Sequence, residues 1–153
     1  MSILFFCKKN KRAGKRLLRV VESQVSADKL GIYHTIQSLS HRLCQPRYDL
    51  AVIVLVAATR EDLLDLLTLR DLLYNIDIIL ILPDRGKETA FIGHKFYPRY
   101  ISFIDNDFTN VALVLAKMMA NAAFKEKRIR KGGEVRNHYV YWHDIDTNNI
   151  LPS

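Results

Sequence analysis

Nine consecutive apolar residues, Leu50 to Ala58 (LAVIVLVAA), constrain this chain more than any other stretch. Six of the nine are Val, Ile or Leu, none is charged, and the run is less than half the ~20 residues a membrane span requires. A strand with one wet face alternates apolar and polar side chains. An unbroken apolar run belongs to a strand covered on both faces, which is the habit of parallel sheets. Ile3 to Cys7 (ILFFC) has the same texture, and Ile76 to Leu82 (IDIILIL) has it apart from Asp77.

Between these runs the apolar period lengthens. Leu17, Leu18, Val21 and Val25 recur at three and four residues, predicting a helix over Lys11 to Val25 with Asn10 as its N-cap. Lys29 to His34 reads as a brief strand. Ile36, Leu39 and Leu43 share a helical face that ends before Pro46, because the residue preceding proline is pushed out of helical geometry. Thr59 caps a leucine-rich helix with Glu61 and Asp62 in its first turn and its end near Asn75. Pro83 to Gly86 is a turn, Glu88 to Phe96 a weak helix containing Gly93, and Arg99 to Ile104 a fifth strand. Asp107 caps a long helix from Phe108 to about Arg128, with Val111, Val114, Leu115, Met118 and Ala122 inward. Five β-α units predict an α/β fold with helices on both faces of a parallel sheet. Right-handed crossovers favour a flavodoxin-like three-layer sandwich of order 2-1-3-4-5, followed by a C-terminal tail. The domain is expected over residues 1–128 and the tail over 129–153, with Gly132-Gly133 at the junction.

The length of 153 residues, with 49% hydrophobic and 25% charged residues, fits one globular domain. The opening apolar run is too short for a signal-peptide core. Cys7 and Cys44 have no disulfide or metal spacing, so a cytoplasmic, reducing setting without a membrane partner is expected. The net charge of +7 is concentrated. Seven basic residues and no acid lie between Lys8 and Arg19, and six basic residues against two acids lie between Lys125 and Arg136. The body from Val20 to Phe124 is slightly acidic. Two short cationic segments on a near-neutral body point toward an anionic partner more directly than a high isoelectric point does.

The β-α order over residues 2–125, the third strand opening at Tyr48-Asp49-Leu50 and the fifth written Tyr100-Ile101-Ser102-Phe103, resembles the receiver domains of response regulators. In that family an acidic pair after the first strand binds a divalent metal and an aspartate ending the third strand accepts a phosphoryl group. A hydroxyl residue ends the fourth strand and a lysine the fifth. This chain departs at each place. Cys7, Lys8 and Lys9 follow the first strand, where a hard-oxygen metal site is needed. Val54 to Ala58 holds no carboxylate. Ile81-Leu82-Pro83 offers no hydroxyl, and Ile104-Asp105-Asn106 no lysine. The resemblance therefore implies a receiver-like domain that is not phosphorylated by the usual route, since that route needs metal, acceptor and charge-stabilising groups together.

Other chemistries find no motif. Gly14-Lys15 lacks the flanking residues of a P-loop, no G-x-G-x-x-G follows a strand, and lysines stand where a flavin phosphate loop would want Ser, Thr and Gly. No nucleophile elbow is present. Cys7 reads in two ways: a thiol activated by neighbouring lysines, or a small buried apolar residue. The five histidines do not converge, so no metal, cofactor or catalytic residue is expected.

Two features remain. Lys8, Lys9, Lys11, Arg12 and Lys15 would lie at the carboxyl edge of the sheet, where parallel α/β folds hold ligands, and are the candidate contacts to an anion or partner. Tyr139, Tyr141 and Trp142, in His138 to Trp142, alternate as a strand would and are candidates for docking the tail on this domain or a neighbour. The expected function is a non-catalytic, receiver-like signalling module that binds another protein or a second copy of itself, through Glu88 to Lys117 and the tail. The alternative is a nucleic-acid binder using segments 8–19 and 125–136, with affinity that falls steeply in salt.

Overall fold

Each apolar run becomes a strand of one parallel sheet. The protein is represented by a computed structural model, of which residues 1–130 are described. In chain order the elements are β1 (Ser2–Phe6), α1 (Arg12–Gln24), β2 (Leu30–Tyr33), α2 (Ile36–Leu43), β3 (Leu50–Val56), α3 (Arg60–Leu67), β4 (Asp77–Leu82), α4 (Lys87–His94), β5 (Tyr100–Phe103) and α5 (Thr109–Arg130). The strand order is β2-β1-β3-β4-β5, all parallel, so the fold is α/β and flavodoxin-like as the sequence predicts.

The two-residue period of the strands sorts the core into two layers. Ile3, Phe5, Val52, Val54, Val56, Ile79 and Ile81 face α1 and α5, meeting Leu17, Val21, Val111, Leu115 and Met118. Leu4, Phe6, Ile53, Leu55, Ile78, Leu80 and Leu82 face α2, α3 and α4, meeting Leu39, Leu43, Leu63, Leu66 and Phe96. Residues Val52 to Leu55 are wholly buried, which is why β3 tolerates no polar residue. Truncating Leu55 to Ala would cost about 2–5 kcal/mol. Thr35 and Thr59 start α2 and α3, each hydroxyl oxygen accepting the backbone N–H three residues on, at 3.1 Å.

Element ends differ from the sequence reading where side chains compete with the backbone. Asn10 does not cap α1. It takes φ 65, Lys11 stands at the N-cap, and no side chain caps the helix. The helix opening at Arg60 stops at Leu67, well short of Asn75, with a separate 3₁₀ turn over Arg70–Leu72. Thr68 causes the break: its N–H and its hydroxyl both bond the Asp65 carbonyl, diverting the chain from the α-helical ladder. α4 begins one residue early, at Lys87. Gly93 belongs inside it because a Cβ there would stand 3.1 Å from Leu82 Cδ2, so glycine lets the helix lie close on β4. Phe108 takes φ 65 and lies before α5, and Asp107 Oδ1 accepts the Thr109 N–H at 3.1 Å. α5 continues through residue 128 to Arg130. The expected tail, with Tyr139, Tyr141 and Trp142, lies outside the described residues.

Candidate functional site

In this strand order β2 flanks β1 on one side and β3 on the other, so the loops after β1 and β3 diverge to opposite faces. The crevice between them is where open α/β sheets place ligands. Lys8, two residues past β1, reaches across it. Its ammonium donates to Asp65 Oδ2 at 2.6 Å and lies 3.2 Å from Asp62 Oδ1, both on α3. Asp62 is almost wholly buried, and its other oxygen accepts the Ala58 N–H at 3.2 Å. A carboxylate therefore does stand at the mouth of β3, supplied by the following helix and already engaged. Hydrogen bonding to Asp65, with Asp62 adding, raises the Lys8 ammonium above its ordinary range.

Further cationic contacts continue around the same edge. Arg60 at the start of α3 pairs with Glu88 of α4 at 2.8 Å. Arg85, before α4, forks onto both oxygens of Asp105 after β5, at 2.9 and 2.6 Å, and lies 4.2 Å over the Phe103 ring. Arg85 holds the Asp105 carboxyl below its usual range. Arg16 of α1 donates to the carbonyls of Ile104 and Asn106 at 3.3 and 2.9 Å. The contacts run from the β1–α1 loop to α3, α4, the β5–α5 loop and back to α1, a closed circuit over the carboxyl ends of β1, β3, β4 and β5. Asp84, whose carboxyl is lowered by the Gly86 N–H and then by Thr89, organises the turn into α4.

Two concave spaces among the described residues flank the β1–α1 loop. A cleft of about 540 Å³ lies between the β1–α1 loop, the start of α2 and α3, lined by Lys8, Lys9, His34, Thr35, Gln37 and Asp65 among others. A smaller pocket of about 190 Å³ lies on the α1 side, lined by Lys9, Asn10, Lys11, Gly14 and Lys15 among others, and shares Lys8, Lys9 and His34 with the first. The His34 ring nitrogen Nδ1 lies 2.8 Å from the Cys7 carbonyl. A carbonyl only accepts, so Nδ1 carries the proton and Nε2 is the other ring nitrogen.

The candidate residues of the sequence reading thus separate. Lys9, Lys11 and Lys15 line the smaller pocket, Lys8 is turned into the α3 acids, and Arg12 is exposed outside both clefts. Cys7 takes the bland one of its two readings. It is 3% exposed, and burial, with Asp62 adding and Lys11 opposing, raises its thiol to about 11. His41 and His94 are exposed on α2 and α4, and among the described residues no group of His, Cys, Asp and Glu could hold a metal ion. The residues that sequence reasoning missed are Asp62, Asp65 and His34. The signal for the first two was their spacing: three residues apart, they share one helix face, and Asp62 stands three after the Thr59 cap. Comparison with known protein families and with curated proteins finds no match to this chain. No helix among the described residues is long and apolar enough to cross a membrane.

Proposed function

We propose that the protein is a receiver-like module that acts by binding another protein and does not undergo aspartyl phosphorylation. The observation that carries this reading is the Lys8 ammonium seated between Asp62 and Asp65. A receiver's acids there would hold a divalent cation with hard oxygen ligands. Here one cation is built into the chain and consumes the two carboxylates nearest the crevice. The circuit of Arg60, Arg85 and Arg16 contacts ties down the remaining loops, which favours recognition by a fixed surface over chemistry at the edge.

The partner face in this reading is formed by α4 and α5 around the edge strand β5. Phe91 on α4 is 67% exposed, Tyr97 after it 86%, and Leu113 on α5 57%. Large exposed apolar side chains are what protein interfaces use.

Incubating the purified protein with acetyl phosphate and Mg²⁺ tests the catalytic half. No acid-stable, hydroxylamine-sensitive phosphoryl adduct is expected, and one phosphate per chain refutes the reading. A photo-crosslinking residue at position 91 or 113, in cells of the source, tests the surface. Adducts should form there and not at Leu64, which is 46% exposed on α3. Equal adducts at all three positions refute it.

A further inference from the structure

The smaller pocket beside the β1–α1 loop has a property that the protein-binding reading does not use. Four lysines line it and, among the described residues, no carboxylate does. Lys8 is neutralised by Asp62 and Asp65 on the far side of the loop. Lys9, Lys11 and Lys15 form no ion pair and no side-chain hydrogen bond among the described residues. Three uncompensated ammonium groups therefore border a concave space of about 190 Å³. Lys11 and Lys15 are four residues apart, on one face of α1, and Lys9 reaches the pocket from the loop. Like charges placed so close repel one another and oppose the helix dipole. Elsewhere on the edge the cations lower such a cost by pairing, and here nothing from the described chain does so.

We propose that this pocket binds the phosphoryl group of a small organic phosphate. The lysines supply charge, Asn10 an amide, and the first turn of α1, which no side chain caps, supplies backbone N–H donors as further ligands. His34 stands where the pocket meets the 540 Å³ cleft, and that cleft receives the organic part between Thr35, Ile36, Gln37 and Thr68. A small ligand is favoured over a nucleic acid because the basic run is not one continuous stripe. Lys8 points into α3, Arg16 into the β5–α5 loop and over the Phe108 ring, and only three of the seven cations, Lys9, Lys11 and Lys15, line the pocket without an ion pair among the described residues. A polyanion would need the outward cations, Arg12 and Arg19. This inference is independent of the protein-binding reading.

The test uses the full chain at fixed ionic strength. Inorganic phosphate, ribose 5-phosphate and a 20-nucleotide single-stranded DNA are titrated separately into ¹⁵N-labelled protein. Saturable shifts of the Lys9, Lys11, Gly14 and Lys15 amides are expected with both phosphates, extending to Thr35, Ile36 and Thr68 only with ribose 5-phosphate. Lys11→Gln and Lys15→Gln should each weaken binding about tenfold, the effect of losing one charge-assisted hydrogen bond, and Arg12→Gln should leave it unchanged. Non-saturating shifts, or equal weakening by Arg12→Gln, overturn the proposal. So does DNA binding tighter than ribose 5-phosphate that Arg12→Gln and Arg19→Gln reduce, which would make the surface a nucleic-acid site.

Discussion

Replacing Gly14 with alanine should destabilise this protein, although alanine is the better helix former. Gly14 is the third residue of α1 and is buried against the end of β1. A Cβ added there would stand inside the van der Waals envelope of Cys7 Sγ and 2.9 Å from Cys7 Cβ, where carbon atoms ordinarily keep about 3.5–4.0 Å. Cys7 has no room to yield: it is 3% exposed, and its N–H is bonded to the Tyr33 carbonyl at 3.2 Å. The helix must therefore lift by roughly 1 Å, and a gap of that size under the wholly buried Leu17 and Val21 forfeits a quarter to a half of each contact energy. Overpacking of this kind costs about 1–3 kcal/mol. The gain from helix propensity and a less flexible unfolded chain offsets about 0.5–1 kcal/mol. The two ranges leave a net loss of about 1 kcal/mol and at most about 2.5 kcal/mol, or a fall of about 2–4 °C in Tm at the central value for a chain of this size. Urea unfolding of the wild type, Gly14→Ala, Cys7→Ala and the double variant completes the cycle. Removing Sγ relieves the worst overlap, so the double variant should be more stable than additivity predicts by about 0.5–1 kcal/mol. A Gly14→Ala protein with a raised Tm, or a cycle additive within about 0.3 kcal/mol, refutes this account of why α1 carries glycine there.

Ellman's reagent at pH 8 should titrate one thiol in the native protein, the exposed Cys44, and the second only on unfolding; two thiols reacting at the same rate would show that Cys7 is not sealed. Alkaline pH should destabilise the fold through Cys7. Its folded pKa, about 11, lies above the unfolded value of 9.0, so the stabilisation is complete below pH 9 and drains as pH rises toward 11. From pH 8 to 10.5 the loss is on the order of 2 kcal/mol, and Cys7→Ala should remove that part of the decline. Lys8 has the same sign but acts later, its raised ammonium contributing below 10.5 and losing its effect above it. Parallel stability curves for wild type and Cys7→Ala would exclude the thiol as the cause.

The fold was legible because burial on both faces writes itself into sequence as near-continuous apolar runs, as in β1, β3 and β4. The helix start was legible at Thr59, whose hydroxyl does cap; at the last helix Asp107 lies one residue too early, its carboxylate accepting the Thr109 N–H across a left-handed Phe108. It was not legible at Asn10, which takes a left-handed backbone before a helix that no side chain caps. Helix ends depended on competition that composition does not display, as with Thr68 bonding back to Asp65. The carboxyl edge was the least legible part. Lys8 and Asp65 are 57 residues apart and meet only because β1 and β3 are neighbours in the sheet. A search for acids following β1 or ending β3 could not find carboxylates that arrive from a helix one turn later.

The same neighbourhood changes what the positive charge means. Along the chain, Lys8 to Arg19 is one basic run, and a run suggests one polyanionic surface. Folding divides it by geometry. The extended loop sends Lys8 across the crevice, where its charge is spent within the molecule. The helical period then separates Lys11 and Lys15 from Arg12, Arg16 and Arg19, whose spacings of four and three place them on an adjoining face. Arg16 goes to backbone carbonyls beyond β5, so its charge fixes a loop. What remains toward the pocket is three ammonium groups over a small concave space, a charge density suited to one phosphoryl group. The same lysines that would bind an anion repel one another without it. Phosphate should therefore stabilise the wild-type fold by more than it stabilises Lys11→Gln, a difference in Tm that follows only if the lysines act together.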